Sequence, residues 1–453
     1  MKQLTGIVIG AGNRGADAYA SYSLLFPNEL KIVSVAEPNP IRRENLASNH
    51  KIPKNFEYND WKDILEKPRF ADIAIIATQD KMHYEPAMTA MKQGYHVLLE
   101  KPMAVTEEEC RNLVKTSEKV GIILQICHVL RYTRLFSTLK EIIDSRKLGR
   151  IININYSINL AHWIYAHSFV RGSWRNQLET SPMILAKACH DFDILYWFAN
   201  ADPIKISSFA RSSYLTRENR PKGATKRCTD GCPHLNDCHY NAINLYLKTS
   251  QFHNDLMQTD KKFMRWLIKL WKNHPKIANL LIPQFRKNTP YRGWPINTIS
   301  EDLSDEGITK ALREGPYGRC VYDCDNDQPS AQITNIKFSN QIVASLTMHG
   351  HSYREGRFIR IDGTKASLIG EFTLMGMPIT LHDHLTGKSI HYKIKLTKDP
   401  HEYEDYPLIR RFLAAVRGEE KPLTTARESL QSHLMAFAAD QSLKEDKIIH
   451  IKN

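Results

Sequence analysis

Cysteine is scarce in this chain and unevenly spread: eight residues in 453, five of them between positions 228 and 324. That distribution excludes a disulfide-scaffolded secreted domain, which needs many pairs in a short sequence. No uninterrupted apolar stretch is long enough to cross a bilayer as a helix. No internal repeat or low-complexity tract stands out, which argues against a solenoid or fibrous architecture. Met1 lies only a few residues before the first predicted strand, leaving no room for a signal peptide, so the expected location is the cytoplasm. Acidic residues are outnumbered, 49 Asp/Glu against 62 Lys/Arg, but the surplus is local. Residues 205–292 hold 17 Lys/Arg and 5 Asp/Glu, nearly all of the net +13, without a recognisable nucleic-acid module. The basicity therefore reads as an insertion, and no nucleic-acid partner is expected.

The remaining composition, 42% hydrophobic and 25% charged, is that of a soluble globular protein long enough for two domains. Apolar runs at 7–9, 32–35, 71–77, 96–99 and 122–126 alternate with helical stretches. That is the βαβ pattern of a parallel, doubly wound α/β sheet, assigned here to a Rossmann domain over residues 1–126. Further strand-like runs at 151–158, 332–338, 342–349, 357–361 and 388–394 predict an α+β domain over 127–453 with a large, mostly antiparallel open sheet. Helical stretches at 406–416 and 426–445 close the chain.

The Cys-rich basic insertion, about 211–325, is punctuated by Pro221, Gly223, Pro283, Pro290 and Pro295. In it Leu256, Met257, Phe263, Met264, Leu267, Leu270 and Trp271 fall near helical spacing among lysines. Such a helix can lie on a membrane. Docking on its own domain or on a neighbouring subunit is the expectation, as a lid or an oligomer contact, with no membrane partner.

The first strand runs into Gly10-Ala11-Gly12-Asn13-Arg14-Gly15 and then a helix, the context that gives GxGxxG its meaning. Gly10 permits the tight turn, Gly12 lets a pyrophosphate approach, and Gly15 seats the helix on the strand. Glu37 ends the next strand at the distance where an acid binds the adenosine ribose, and its charge repels a 2′-phosphate, favouring NAD. Arg42 and Arg43 follow closely and could offset that repulsion.

The run from Ala71 through Thr78 to His83, followed by Gly94 to Glu100-Lys101-Pro102, resembles the glucose-fructose oxidoreductase / inositol dehydrogenase / rhizopine-catabolism (Gfo/Idh/MocA) family. Arg131-Tyr132, Arg171-Gly172-Ser173-Trp174-Arg175 and the stretch from Ser432 to Ala439 extend the resemblance over most of the chain. It implies an NAD-dependent oxidoreductase acting on the CH–OH group of a sugar, sugar derivative or cyclitol, and a homo-oligomer, dimer or tetramer, built through the C-terminal sheet. The implied cofactor contacts are Gly10, Gly12, Asn13, Arg14, Gly15, Glu37, Thr78, His83, Glu100, Lys101 and Pro102, with Pro102 in the cis form. Lys101 takes the family lysine's role: holding the substrate hydroxyl and stabilising the developing alkoxide.

A second catalytic group is expected in residues 183–193. On one helix Lys187 and His190 share a face, with Asp193 further along it. Many family members carry an Asp where this chain has Ala186, so Lys187 is expected to substitute for it, with His190 as base or relay. Arg131, His162, Trp163, Trp174, Arg175 and Asp191 are the candidate substrate contacts, aromatic rings stacking on a sugar face and charged groups binding hydroxyls. A redox-neutral glycosidase using the same residues and bound NAD, or a non-catalytic NAD-binding protein, are the alternatives. Finally Cys228, Cys232 and Cys238 with Cys324, or Cys320 in its place, could hold a structural zinc or an iron–sulfur cluster. His234 and His239 are rival ligands, and reduced, non-ligating thiols the other reading.

Overall fold

In a computed structural model of the protein, which describes residues 2–212, 214–248, 251–258, 262–281, 292–373, 376–394 and 405–452, the first apolar runs become buried parallel strands. They are β1 (Leu4–Ile9), β2 (Leu30–Ala36), β4 (Ile73–Ile76), β5 (His96–Leu99) and β6 (Leu124–Ile126), joined at the edge by a half-buried pair of residues outside those runs, β3 (Glu57–Tyr58). Their order is β3-β2-β1-β4-β5-β6, every pairing parallel. Helices cover both faces, which is why β1 and β4 are apolar on both sides rather than alternating. Strand order reverses between β1 and β4, and a doubly wound sheet binds ligands at the carboxyl ends of strands flanking that reversal. Gly10, Glu37, Ala77 and Glu100 all lie there.

The second sheet comprises β7 (Ile151–Ala161), β8 (Pro203–Arg211), β9 (Ala331–Phe338), β10 (Val343–Ser352), β11 (Gly356–Gly363), β12 (Ala366–Thr373), β13 (Ile379–Asp383), β14 (Ser389–Tyr392) and β15 (Ile449–His450). Its order is β14-β13-β12-β11-β7-β10-β9-β8-β15, and only β7 and β10 pair in parallel. Along β9 side chains alternate strictly between exposed and buried, so one face is core and the other open. Phe209 and Ile333 are cross-strand partners on the open face, 63% and 47% exposed.

Together the two C-terminal helices pack against both sheets. The helix Tyr406–Val416 buries Leu408, Ile409, Phe412 and Leu413 in the core of the first sheet. The helix Ala426–Glu445 puts Leu430 and Leu434 in that domain's other core and Met435, Ala436 and Ala439 in the core of the second. Small and polar residues, Ser429, Ser432, His433 and Ser442, are buried on it beside the apolar ones, because it lies between the two layers.

The insertion connects β8 to β9. Its helix Lys262–Asn273 buries Ile268 and Trp271 and leaves Phe263 and Trp266 outside. Pro283 and Pro290 lie outside the described residues. Among the described residues no helix is long and apolar enough to cross a membrane.

Candidate active site

The glycine turn has the shape a dinucleotide needs. Gly10 has φ +91°, and a Cβ there would stand 2.6 Å from Ala77 O. A Cβ on Gly15 would meet Gly10 O at 1.9 Å, so that glycine closes the turn against the helix. At Gly12 a Cβ would meet nothing within 4 Å; this is the open side where a pyrophosphate can approach. The following helix, Asn13–Ala20, is of the wide π type. Glu37 is buried at the end of β2, where its Oε2 accepts from Ala11 N–H (2.7 Å) and its Oε1 from Asn39 N–H (3.0 Å). Both nearby arginines are engaged: Arg43 Nη1 donates to Glu37 O (2.5 Å), and Arg42 pairs with Glu301 of the insertion (2.9 Å). A cavity of about 740 Å³ opens from this turn, walled by Gly12, Asn13 and Arg14 on one side and Trp174, Trp294 and Glu301 on the other.

Past β5 the chain makes a braced turn. Glu100 Oε1 accepts from Arg14 Nε and from Tyr19 OH, each at 2.6 Å, and Oε2 accepts from Lys101 N–H at 2.6 Å. Burial alone would raise its pKa, but the cationic neighbours Arg14 and Lys101 hold it at about 2. Arg14 also pairs with Asp405 (2.7 Å). Arg14 and Glu100, expected on the cofactor, therefore bind each other. The Lys101–Pro102 peptide is cis, as the resemblance implied. His83 is buried too, with Nδ1 2.6 Å from Pro102 O and Nε2 3.1 Å from Thr78 O, so it braces the turn rather than facing the cleft. Thr78 Oγ1 donates to Met82 O (2.9 Å). From the C-terminal helix, His433 Nε2 accepts from Met103 N–H (2.9 Å) while Nδ1 lies 2.7 Å from Ser429 O, a neutral tautomer set by its partners.

Held by these contacts, Lys101 Nζ donates to Ala186 O (2.9 Å). The segment carrying Ala186 is not one helix. A short helix, Met183–Ala186, breaks at Lys187 and Ala188, and a second begins at Cys189. Lys187 and His190 thus share the site without sharing a continuous helical face. Lys187 Nζ pairs with Glu355 Oε1 (3.0 Å), whose side chain is 42% open. His190 lies edge-on to His128, ring centroids 5.6 Å apart, and its Nδ1 is buried without a hydrogen-bond partner. Burial first, then Lys101 and His128, push its pKa well below the usual histidine range, so the ring is neutral at physiological pH.

Several expected substrate contacts are engaged elsewhere. Arg131 is buried and binds Asp193 through Nε and Nη2, both 2.7 Å, because a guanidinium out of water needs a carboxylate. Asp191 Oδ1 accepts from Tyr156 OH (2.8 Å) and Arg357 Nε (2.6 Å), leaving Oδ2 without a partner. Arg175 pairs with Asp325 and Glu179 (3.0 and 2.8 Å). Trp174 lines the cavity while Nε1 donates to Asp80 (3.0 Å). Trp163 is buried against Trp294, and His162 stands beside His239.

Sequence reasoning missed His128, His433, Glu355, Arg357 and Asp255. Burial, with Glu355 adding, pushes the carboxyl of Asp255 up to about 6. Only His128 carried a local signal, its position just past the carboxyl end of β6.

The cysteines do not assemble as expected. Cys228, Cys232, Cys238 and Cys320 border a small void, but among the described residues no three His, Cys, Asp or Glu side chains are arranged to hold a metal ion. The expected zinc or iron–sulfur centre is therefore not supported. Buried Arg171 occupies the middle instead, donating to Arg319 O (2.7 Å) and Tyr240 O (2.9 Å) and reaching Cys228 Sγ at 3.6 Å. Burial pushes the thiols of Cys238, Cys320 and Cys324 up, which favours their neutral form. His234 is held by Asp237 and Lys222 O, and His239 packs on Tyr240.

The buried histidines carry a consequence for stability. Burial, with Arg131 adding for His128 and His128 for His433, lowers both to about 3 from an ordinary 6.5. Below 6.5 the unfolded chain takes up protons the folded chain refuses, so stability falls with pH until about 3. The melting temperature should drop steadily between neutral pH and about 4, and less steeply in His433→Asn. A flat profile for the unmodified protein would count against neutral, buried histidines.

The sequence matches the family described as "Oxidoreductase family, NAD-binding Rossmann fold" over residues 5–128, and its "C-terminal alpha/beta domain" over 140–254 and 317–451. Inositol 2-dehydrogenase of Salmonella paratyphi B is 26% identical over 227 residues, covering 49% of this chain and 63% of that enzyme. The 1,5-anhydro-D-fructose reductase of Ensifer adhaerens is 28% identical over 195 residues, 43% of this chain and 56% of the enzyme. The alignable part thus spans less than two thirds of either relative. The WlbA dehydrogenase of Bordetella pertussis, solved with NADH and UDP-GlcNAcA, has the same fold, with TM-score 0.61, 14% identity and coverage of 100% of this chain and 99% of that one.

Proposed function

The chain belongs to the Gfo/Idh/MocA oxidoreductase family, and from that premise we propose that it is an NAD-dependent dehydrogenase of a CH–OH group on a cyclitol, sugar or sugar derivative. The observation that carries this reading is Lys101 beside neutral His190, past the carboxyl end of β5 and so at the same end of the parallel sheet as the glycine turn. When bound, NAD supplies the hydride acceptor. Lys101 Nζ holds the substrate oxygen and stabilises negative charge on it as its proton leaves. His190, neutral and with Nδ1 unpartnered, takes that proton directly or through a neighbour. Lys187 is neutralised by Glu355, and Asp255 adds a further carboxyl, so the site favours a neutral polyol over a uronate. The open face carrying Phe209 and Ile333 supports self-association through the second sheet.

A panel of cyclitols, sugars, uronates and glycosides tests the reading by NADH formation. Neutral polyols should reduce NAD in solution. Release of an aglycone without NADH accumulation would favour a redox-neutral glycosidase, and no turnover of any member would favour a non-catalytic role.

Cofactor choice follows from Glu37. With Arg42 and Arg43 engaged, the carboxylate is expected to make NAD bind more tightly than NADP. Glu37→Ala should weaken NAD by about 10- to 100-fold, the value of a charged hydrogen bond, and narrow the gap. Equal affinities in the unmodified protein, measured by titration, would contradict this role for Glu37.

A further inference from the structure

Residues 261–300 contain nine Lys/Arg and no Asp/Glu. Within them the helix Lys262–Asn273 presents three faces. Ile268 and Trp271 are buried on the protein. Lys262, Arg265, Lys269 and Lys272 are exposed along another side. Phe263 and Trp266, stacked with centroids 6.0 Å apart, point outward at 67% and 54% exposure. The next helix, Pro275–Leu281, adds Ile277 and Leu280, 52% and 74% exposed, beside exposed Lys276. Packing on its own domain accounts for the first face only.

Exposed aromatic and aliphatic side chains in an all-cationic setting narrow the partner. A second copy meeting this patch through a two-fold axis would set the same cations against themselves, since neither helix carries an acid. Nucleic acid would use the cations and could stack on a ring, but it leaves Met264, Ile277 and Leu280 without a role. A bilayer with anionic headgroups satisfies both features: apolar side chains enter the acyl boundary while lysines and arginine meet phosphate. We propose that these two helices of the insertion are a peripheral docking surface for anionic phospholipid membrane. Lys272 Nζ donates to Asn254 Oδ1 (2.8 Å), and Gln258 Nε2 donates to Tyr353 O (3.0 Å), two residues before Glu355. The docking surface is therefore tied to the segment that carries Glu355, the partner of Lys187.

Sedimentation of the full-length protein with vesicles tests this, phosphatidylcholine alone against phosphatidylcholine mixed with phosphatidylglycerol. Binding is expected only with phosphatidylglycerol present, weakening as salt rises. Phe263→Ser/Trp266→Ser should lower the affinity by on the order of tenfold or more, and Lys269→Gln/Lys272→Gln should also lower it. NAD affinity and melting temperature should stay unchanged in both variants, since none of these residues lies in the cofactor cleft or the core. Failure of the unmodified protein to bind phosphatidylglycerol vesicles would overturn the proposal, as would binding indifferent to the Phe263/Trp266 change. So would a change of oligomeric state in that variant, which would make the patch an interface between copies, or tighter binding to single-stranded nucleic acid than to vesicles.

Discussion

Lys101→Met is expected to lower kcat by about 10²–10³ while leaving NAD affinity nearly intact, the loss typical of one preorganised electrostatic contact at a developing oxyanion. The split follows from where the lysine sits. Its backbone N–H belongs to the braced Glu100 turn, while its Nζ extends to Ala186 O at the boundary with the second domain. Removing the ammonium therefore deletes charge at the substrate oxygen without disturbing the glycine turn. His190→Ala should also lower kcat, and should remove an ionisation from the pH–rate profile if His190 is the base. That ionisation is expected below the usual histidine range, because burial and Lys101 disfavour the imidazolium. Full turnover in both variants, on a verified substrate and with folding confirmed, would place the chemistry elsewhere.

The largest effect on stability should come from Arg131. Its side chain and that of Asp193 are each 1% exposed and joined by two 2.7 Å hydrogen bonds. Arg131→Met leaves a carboxylate buried without its partner, a change that typically costs about 3–5 kcal/mol. Denaturant titration would read this as a fall in midpoint with little change in slope. Replacing both residues, Arg131→Met/Asp193→Leu, should recover much of the loss, since the orphaned charge then disappears. A loss under about 1 kcal/mol in the single variant, the scale of a surface pair, would mean that Arg131 is not the buried counter-ion described here.

How much of this was legible varies along the chain. The parallel strands other than β3 were, because each reads as a short, mostly buried apolar run bounded by turns. Strands β3, β8, β12, β13 and β15 were missed: β3 and β15 are two residues long, while Ser207 and Ser208 in β8 and Ser367 and Gly370 in β12 interrupt the apolar pattern, and cross-strand neighbours stabilise them. The helical period put Lys187 and His190 on one helix face, but the helix breaks at Lys187 and Ala188, so they share no continuous face.

Local backbone geometry could be read directly from the residues. Gly10 and Gly15 tolerate no Cβ, Glu37 closes a strand, and Lys101 precedes a proline at a strand end, so residue type and spacing were sufficient. What only the tertiary structure decided is which charges are spent on one another. Arg131 is tied to Asp193, and Glu100 to Arg14, which still lines the cavity at the glycine turn. His433, more than 300 residues from Met103, becomes part of the turn that carries Lys101. The cysteine cluster looked like ligands until Arg171 was found among the sulfurs. The physical reason is common to these cases: a buried charge or polar group must find its partner across the fold, and sequence separation carries no information about which partner that is.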